Sequence, residues 1–171
     1  MWRLTNRSST SLCWIILFIC CIREITAARK ETGPEYLLCR YCGSDTADAS
    51  YLNYLISPEA ISFKNQSVYG LQNVGVQLLE NPHGNRFQLV TLKKAGCVGR
   101  GSWSSQDTWF PGYSWKNCFC THCGRQLGWV FLHESEVSQG NNKSSNSFYA
   151  LIVDKILSES FSDSLIAFPK L

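Results

Sequence analysis

Two Cys-x-x-Cys-Gly units constrain this chain more than any other feature: Cys39-Arg-Tyr-Cys42-Gly43 and Cys120-Thr-His-Cys123-Gly124. Two cysteines three apart on a tight turn aim both thiolates at one point, and Gly43 and Gly124 let the chain leave each turn with positive φ. Paired, the two turns predict a tetrahedral four-thiolate site from Cys39, Cys42, Cys120 and Cys123, a donor set that suits Zn²⁺. A closed four-cysteine site keeps no open coordination position, so the expected zinc is structural, not catalytic. The competing expectation is a disulfide within each unit. A ring that small is strained and belongs more to redox sites than to staples.

The first thirty residues carry a different signal. Arg3 and Arg7 give a basic start, residues 12–22 form an apolar run, and Thr26, Ala27 and Ala28 offer small residues for a signal peptidase. The run is shorter than the roughly 20 apolar residues that a membrane-spanning helix needs. This order of parts predicts a secretory signal peptide over residues 1–27 and a secreted, extracellular product, with an uncleaved signal anchor as the alternative. Loss of Arg3, Arg7, Arg23 and Glu24 with such a leader takes the formal net charge from +3 to +1. That is no electrostatic footprint for nucleic acid. No later stretch is long and apolar enough to span a membrane. Of nine cysteines, Cys13, Cys20 and Cys21 lie in the leader. With four assigned to the knuckles, Cys97 and Cys118 remain. In an oxidising compartment they read as a disulfide closing a loop of about twenty residues, worth on the order of 3 kcal/mol, the alternative being two separately buried thiols.

Residues 44–60 are mixed, and the stretch 51–55 suits a helical turn or a strand. From residue 61 onward short β-rich runs alternate with turn residues: 61–76, 87–92, 127–132 and 148–153, punctuated by Asn81-Pro82-His83-Gly84 and by the Pro111-Gly112 turn. Gly96, Gly99 and Gly101 suggest a loop, residues 134–147 another, and the chain past Leu157 a loosely tied tail. No stretch has convincing helical amphipathicity. The expected fold class is all-β.

Aromatics flank the Pro-Gly turn in Trp109-Phe110-Pro111-Gly112-Tyr113-Ser114-Trp115. The second knuckle follows, then Gly128-Trp129-Val130-Phe131. Each piece alone is more often core than site. Their order, with Asn81-Pro82-His83-Gly84 upstream and the first knuckle in place, resembles the CULT domain, the ligand-binding domain of cereblon, over about residues 36–153, leaving 154–171 as a C-terminal tail. The resemblance implies a β-tent of two antiparallel sheets pinned by zinc. It implies an aromatic cage of Trp109, Trp115 and Trp129, with Phe131 at its floor and Asn81 near its mouth. It further implies a small cyclic imide, a uracil-like ring or a cyclised peptide end as ligand, its ring N–H and one carbonyl bound by main-chain groups of Asp107, Thr108 and Trp109. Asp107-Thr108 stand where cereblon has His-Ser, which alters the rim. No counterpart of cereblon's Lon-like domain or its ligase-docking helical segment is found, so a ubiquitin-ligase adaptor role is not expected.

The second knuckle and its Gly-Trp-Val-Phe continuation also look like the zinc segment of methionine-R-sulfoxide reductases. Those enzymes need a nucleophilic cysteine on a later strand and a histidine near the position of Trp129. No cysteine follows Cys123 here, so that activity is expected to be missing and the protein is not expected to be an enzyme. His83, His122 and His133 are scattered, and no Ser-His-Asp arrangement or phosphate loop is identifiable. Asn65-Gln-Ser and Asn142-Lys-Ser are glycosylation acceptors if the chain is secreted. A different class of function, a secreted structural or protein-interaction module whose tryptophans are only core, stands as the alternative.

Overall fold

The computed structural model describes residues 34–139 and 146–165; the leader expected over residues 1–27 and the acceptor Asn142 lie outside them. Eleven strands and two short helices make up the domain. A small antiparallel sheet is built from β1 (Tyr36–Cys39), β2 (Asp45–Asp48) and β11 (Ile156–Ser158), with β1 in the centre. The large sheet runs β4 (Ser62–Val68), β5 (Leu71–Glu80), β6 (Arg86–Leu92), β10 (Ser147–Ile152), β9 (Gln126–His133), β8 (Tyr113–Cys120) and β7 (Cys97–Ser104). The two-residue β3 (Leu52–Asn53) pairs with Leu92 and Thr91 of β6, beyond the point where β5 ceases to pair with β6. Helix α1 spans Glu134–Ser138 and α2 spans Glu159–Ser164. The fold is therefore all-β, as the strand and turn pattern predicted, with two antiparallel sheets, as the resemblance implied.

Strand alternation divides the core. Side chains of successive strand residues point to opposite faces of a sheet. On β10, Leu151 joins Leu37, Ala47, Val90, Leu92, Leu127 and Ile156 in an aliphatic cluster between the two sheets. Phe148, Ala150 and Ile152, on the other parity, join Leu79, Leu89, Phe110, Trp109, Trp129 and Phe131 in an aromatic cluster. Gly128 sits where β9 meets β10: a Cβ there would lie 2.0 Å from the Ala150 carbonyl oxygen. Only glycine allows that approach.

Three local readings change. The glycines at 99 and 101 do not form a loop; they belong to edge strand β7. Gly99 is needed because a Cβ would stand 2.9 Å from Val130, and the register shifts between Arg100 and Ser104. The polar stretch after His133 begins with α1. Residues 158–161, expected in a loosely tied tail, are tied down: Ser158 is fully buried and bonds to the Tyr69 carbonyl. Ser160 donates from its amide and hydroxyl to Glu35, and Phe161 packs on Tyr69 at 5.3 Å.

Candidate functional site: a four-thiolate cluster and an aromatic cleft

The knuckles fold alike because they have the same hydrogen bonds to make. In the first, the Cys39 amide donates to Ser44 O at 2.8 Å and the Gly43 amide to Cys39 O at 2.8 Å. In the second, Cys120 donates to Arg125 O at 2.8 Å and Gly124 to Cys120 O at 3.0 Å. Gly43 and Gly124 take φ of +72° and +71°. β1 and β8 carry the two turns to one place, where the four sulfurs all lie within 4.8 Å of one another. The Cys39–Cys123 and Cys42–Cys120 separations are both 3.7 Å. A tetrahedron with metal–sulfur bonds of about 2.3 Å has edges of about 3.8 Å, so the set fits a thiolate-preferring metal ion. The Ser44 hydroxyl lies 3.1 Å from Cys42 Sγ and 3.3 Å from Cys120 Sγ, an outer-shell partner to two ligands.

Protonation differs between the sulfurs. Burial pushes the Cys39 thiol up to about 12. At Cys120 burial acts in the same sense, but the Cys123 amide, the Ser44 hydroxyl and the His122 amide outweigh it and draw the thiol down to about 6. A bound cation would displace these protons and hold all four as thiolates. His122 supplies only its amide to the cluster. Cys97 and Cys118 are bridged, with the S–S bond at 2.06 Å, joining β7 to β8.

The second site is a cleft of about 700 Å³ over the aromatic face of the large sheet. That is an ordinary size for a small-molecule pocket. Trp109, Trp115, Trp129, Phe131, Asn81 and Asp107 all line it. Trp115 on β8 pairs across the sheet with Phe131 on β9, and Trp129 follows two residues behind Phe131's partner register, opposite Asn117 and Ala150. Period-two alternation puts these indoles and Phe131 on one face. Trp109 comes from the β7–β8 loop. Its indole N–H donates to Glu80 O at 2.8 Å, and its ring meets Trp129 edge-on at 4.9 Å and 79°. Trp115 is anchored by its indole N–H to Gln106 O at 2.9 Å. The Trp129 indole N–H has no partner among the described residues. Phe131 is fully buried beneath the cleft, stacked on Phe148 at 4.9 Å.

Asn81 shapes the turn at the mouth. Its side-chain oxygen accepts from the His83 amide at 3.1 Å and the Asn85 amide at 2.9 Å. Asp107 takes φ of +53°, a left-handed conformation that Asp tolerates better than most residues. Thr108 is not brought to the cleft by its side chain. Its hydroxyl donates to Phe110 O at 3.3 Å and accepts from the Phe110 amide at 3.4 Å, closing the loop on itself. Between them, the Asp107 carbonyl and the Trp109 amide have no hydrogen bond to any described residue.

Sequence reasoning missed three contributors. Phe87 on β6 forms a fourth aromatic wall, 5.1 Å from Trp129 and 6.0 Å from Trp109. Buried Gln77 accepts from the Ser57 amide at 2.9 Å and donates to Leu55 O at 3.1 Å. Ser57 in turn donates to the Trp109 carbonyl. This relay fixes the cage tryptophan from the sheet behind it. A strand glutamine and a loop serine carry no sequence signature for such a role.

Fold, thiolate cluster and cleft together define a small all-β domain that resembles the CULT domain, with an aromatic cavity on one side of its sheet and, on the other, four cysteines close enough to hold a metal ion. The named proteins it is similar to agree. No family model matches the chain. It is 40% identical over 52 residues to cereblon of Gallus gallus and 41% identical over 54 residues to cereblon of Xenopus tropicalis, in each case 30% of this chain and 12% of the relative. Cereblon of Drosophila melanogaster is 30% identical over 108 residues, 60% of this chain and 16% of that protein. The chain thus spans about an eighth of the length of the first relatives it matches.

Proposed function

We propose that the protein is a secreted, non-catalytic binding domain that holds a small cyclic imide, or a ring with the same N–H and carbonyl pattern, in the cleft between Trp109, Trp115 and Trp129, with structural zinc in the thiolate cluster. One observation carries this reading: three indoles and Phe87 converge on one cleft beside a main-chain donor and acceptor that have no partner among the described residues. Indole faces desolvate a flat five- or six-membered ring. The Asp107 carbonyl would accept the ring N–H, and the Trp109 amide would donate to a ring carbonyl. In a dry slot each unmade bond costs about 1–3 kcal/mol, so the pair selects for rings presenting both groups.

Zinc is supported by the donor set and the 3.7 Å sulfur edges. Secretion rests on the leader and on the Cys97–Cys118 bridge, which suits an oxidising compartment. Asn65 lies exposed on edge strand β4, where a glycan is accessible, and would also blunt that edge. The absence of any cysteine after Cys123 supports a non-enzymatic role.

The test is a titration of tryptophan fluorescence with glutarimide, with Trp115→Ala as control. Trp115 is only half-buried, so its loss is expected to leave the fold intact while lowering affinity at least ten-fold. A folded wild-type protein that gives no saturable response would return the tryptophans to a packing role in an interaction module.

A further inference from the structure

The cleft carries a charge pattern that a neutral ring does not use. Its lining includes no lysine or arginine, and its single carboxylate is Asp107. Glu80, which leads into the Asn81 turn, is already neutralised by Arg86 at 2.6 Å. Asp107 is not: its carboxylate has no hydrogen-bond or ion-pair partner among the described residues. It lines the same space as the rings of Trp109, Trp115, Trp129 and Phe87. Aromatic faces are the negative side of the ring quadrupole. An exposed carboxylate that shares a lining with four aromatic side chains, His83 being the other titratable group there, is an arrangement that attracts ammonium groups, methylated ones included.

Resting on the reading above, we propose that the ligand of this cleft is a cation: a cyclic amide bearing a methylated ammonium, its ring in the indole slot and its charge against Asp107. The slot then holds the ring while the carboxylate and the rings at its rim act on the charge, and the rim selects among ligands that the slot alone would accept equally. An ammonium carrying methyl groups loses less hydration on entering than a bare one and fills apolar space, so methylation favours it further.

Two glutarimides of matched shape test this, one with a 3-trimethylammonium group and one with a 3-tert-butyl group, titrated by calorimetry alongside unsubstituted glutarimide. The charged compound is expected to bind about ten-fold more tightly than its neutral isostere. That advantage is expected to shrink in high salt and to fall to about two- to three-fold in Asp107→Asn, where the ring faces remain. Asn also tolerates the left-handed backbone, so the variant folds. If glutarimide binds but the two isosteres bind alike, or neither binds, the charge proposal is overturned and the imide reading stands. If Asp107→Asn leaves the ratio unchanged, Asp107 is not the partner and the proposal fails. If none of the three compounds binds the folded protein, both readings fall together.

Discussion

The two faces of the large sheet are held together by different means. One face packs aliphatic side chains against the small sheet and ends at the four thiolates. The other packs rings against rings, Phe110, Phe131 and Phe148 at 4.9 Å from one another, and opens into the cleft. Aliphatic burial stabilises roughly in proportion to area and needs no particular angle. Aromatic contacts prefer defined edge-to-face and stacked geometries, so a few fixed rings can form walls with space left between them. The thiolate face makes the domain stable, and the aromatic face can then hold a cavity that would be a defect in a small core.

That contrast predicts an order of effects. Metal removal by a chelator should be the largest. If a cation joins the four thiolates, its loss removes a cross-link between the small sheet and β8. Thermal unfolding followed by circular dichroism should shift down by more than about 15 °C or lose cooperativity, as in small domains whose metal energy is folding energy. An unchanged transition would show that the aliphatic cluster alone holds the sheets. Gly128→Ala comes next. Its Cβ meets backbone, which cannot swing aside as a side chain could, so urea denaturation should report a loss of about 3 kcal/mol or more. Cys97→Ser with Cys118→Ser removes a bridge across 21 positions and should lower stability by about 3 kcal/mol while leaving glutarimide affinity nearly intact, since the bridge joins β7 and β8 away from the cleft. Ser57→Ala should be smallest in stability, about 1 kcal/mol. It should still weaken ligand binding several-fold by freeing Trp109, a result that would separate positioning from packing. Equal losses in both properties would count against the relay.

How much could be read in advance follows the same division. The thiolate cluster was legible because turn geometry, residue spacing and metal chemistry all act within five residues, as in Cys120-Thr-His-Cys123-Gly124. The all-β class was legible from the short β-rich runs that became β6, β9 and β10 and the turn residues between them. Trp109, Trp115 and Trp129 were legible only through the order of their motifs, since each indole alone fits a core. Strand β7 was not legible: its glycines read as breakers, and it takes the packing of Val130 against Gly99 and the positive φ of Gly101 to explain them. Nor was β11, whose three residues are too few to show a period. The Gln77–Ser57–Trp109 relay depends on polar atoms brought together across 20 and 52 positions, which no local pattern encodes.

The central place of β1 in the small sheet has a consequence in time. Its two neighbours come from opposite ends of the domain: β2 follows within a few residues, but β11 is the last strand to be made. While the chain is being synthesised, both knuckles and the whole large sheet can form before Ile156–Ser158 emerges. Through that interval one edge of β1 offers unpaired amides and carbonyls to any extended chain nearby. Capture of a metal ion by the completed knuckles would then hold β1 in register and wait for its second neighbour, so the order of assembly, and not only the final stability, favours a cross-link at that point.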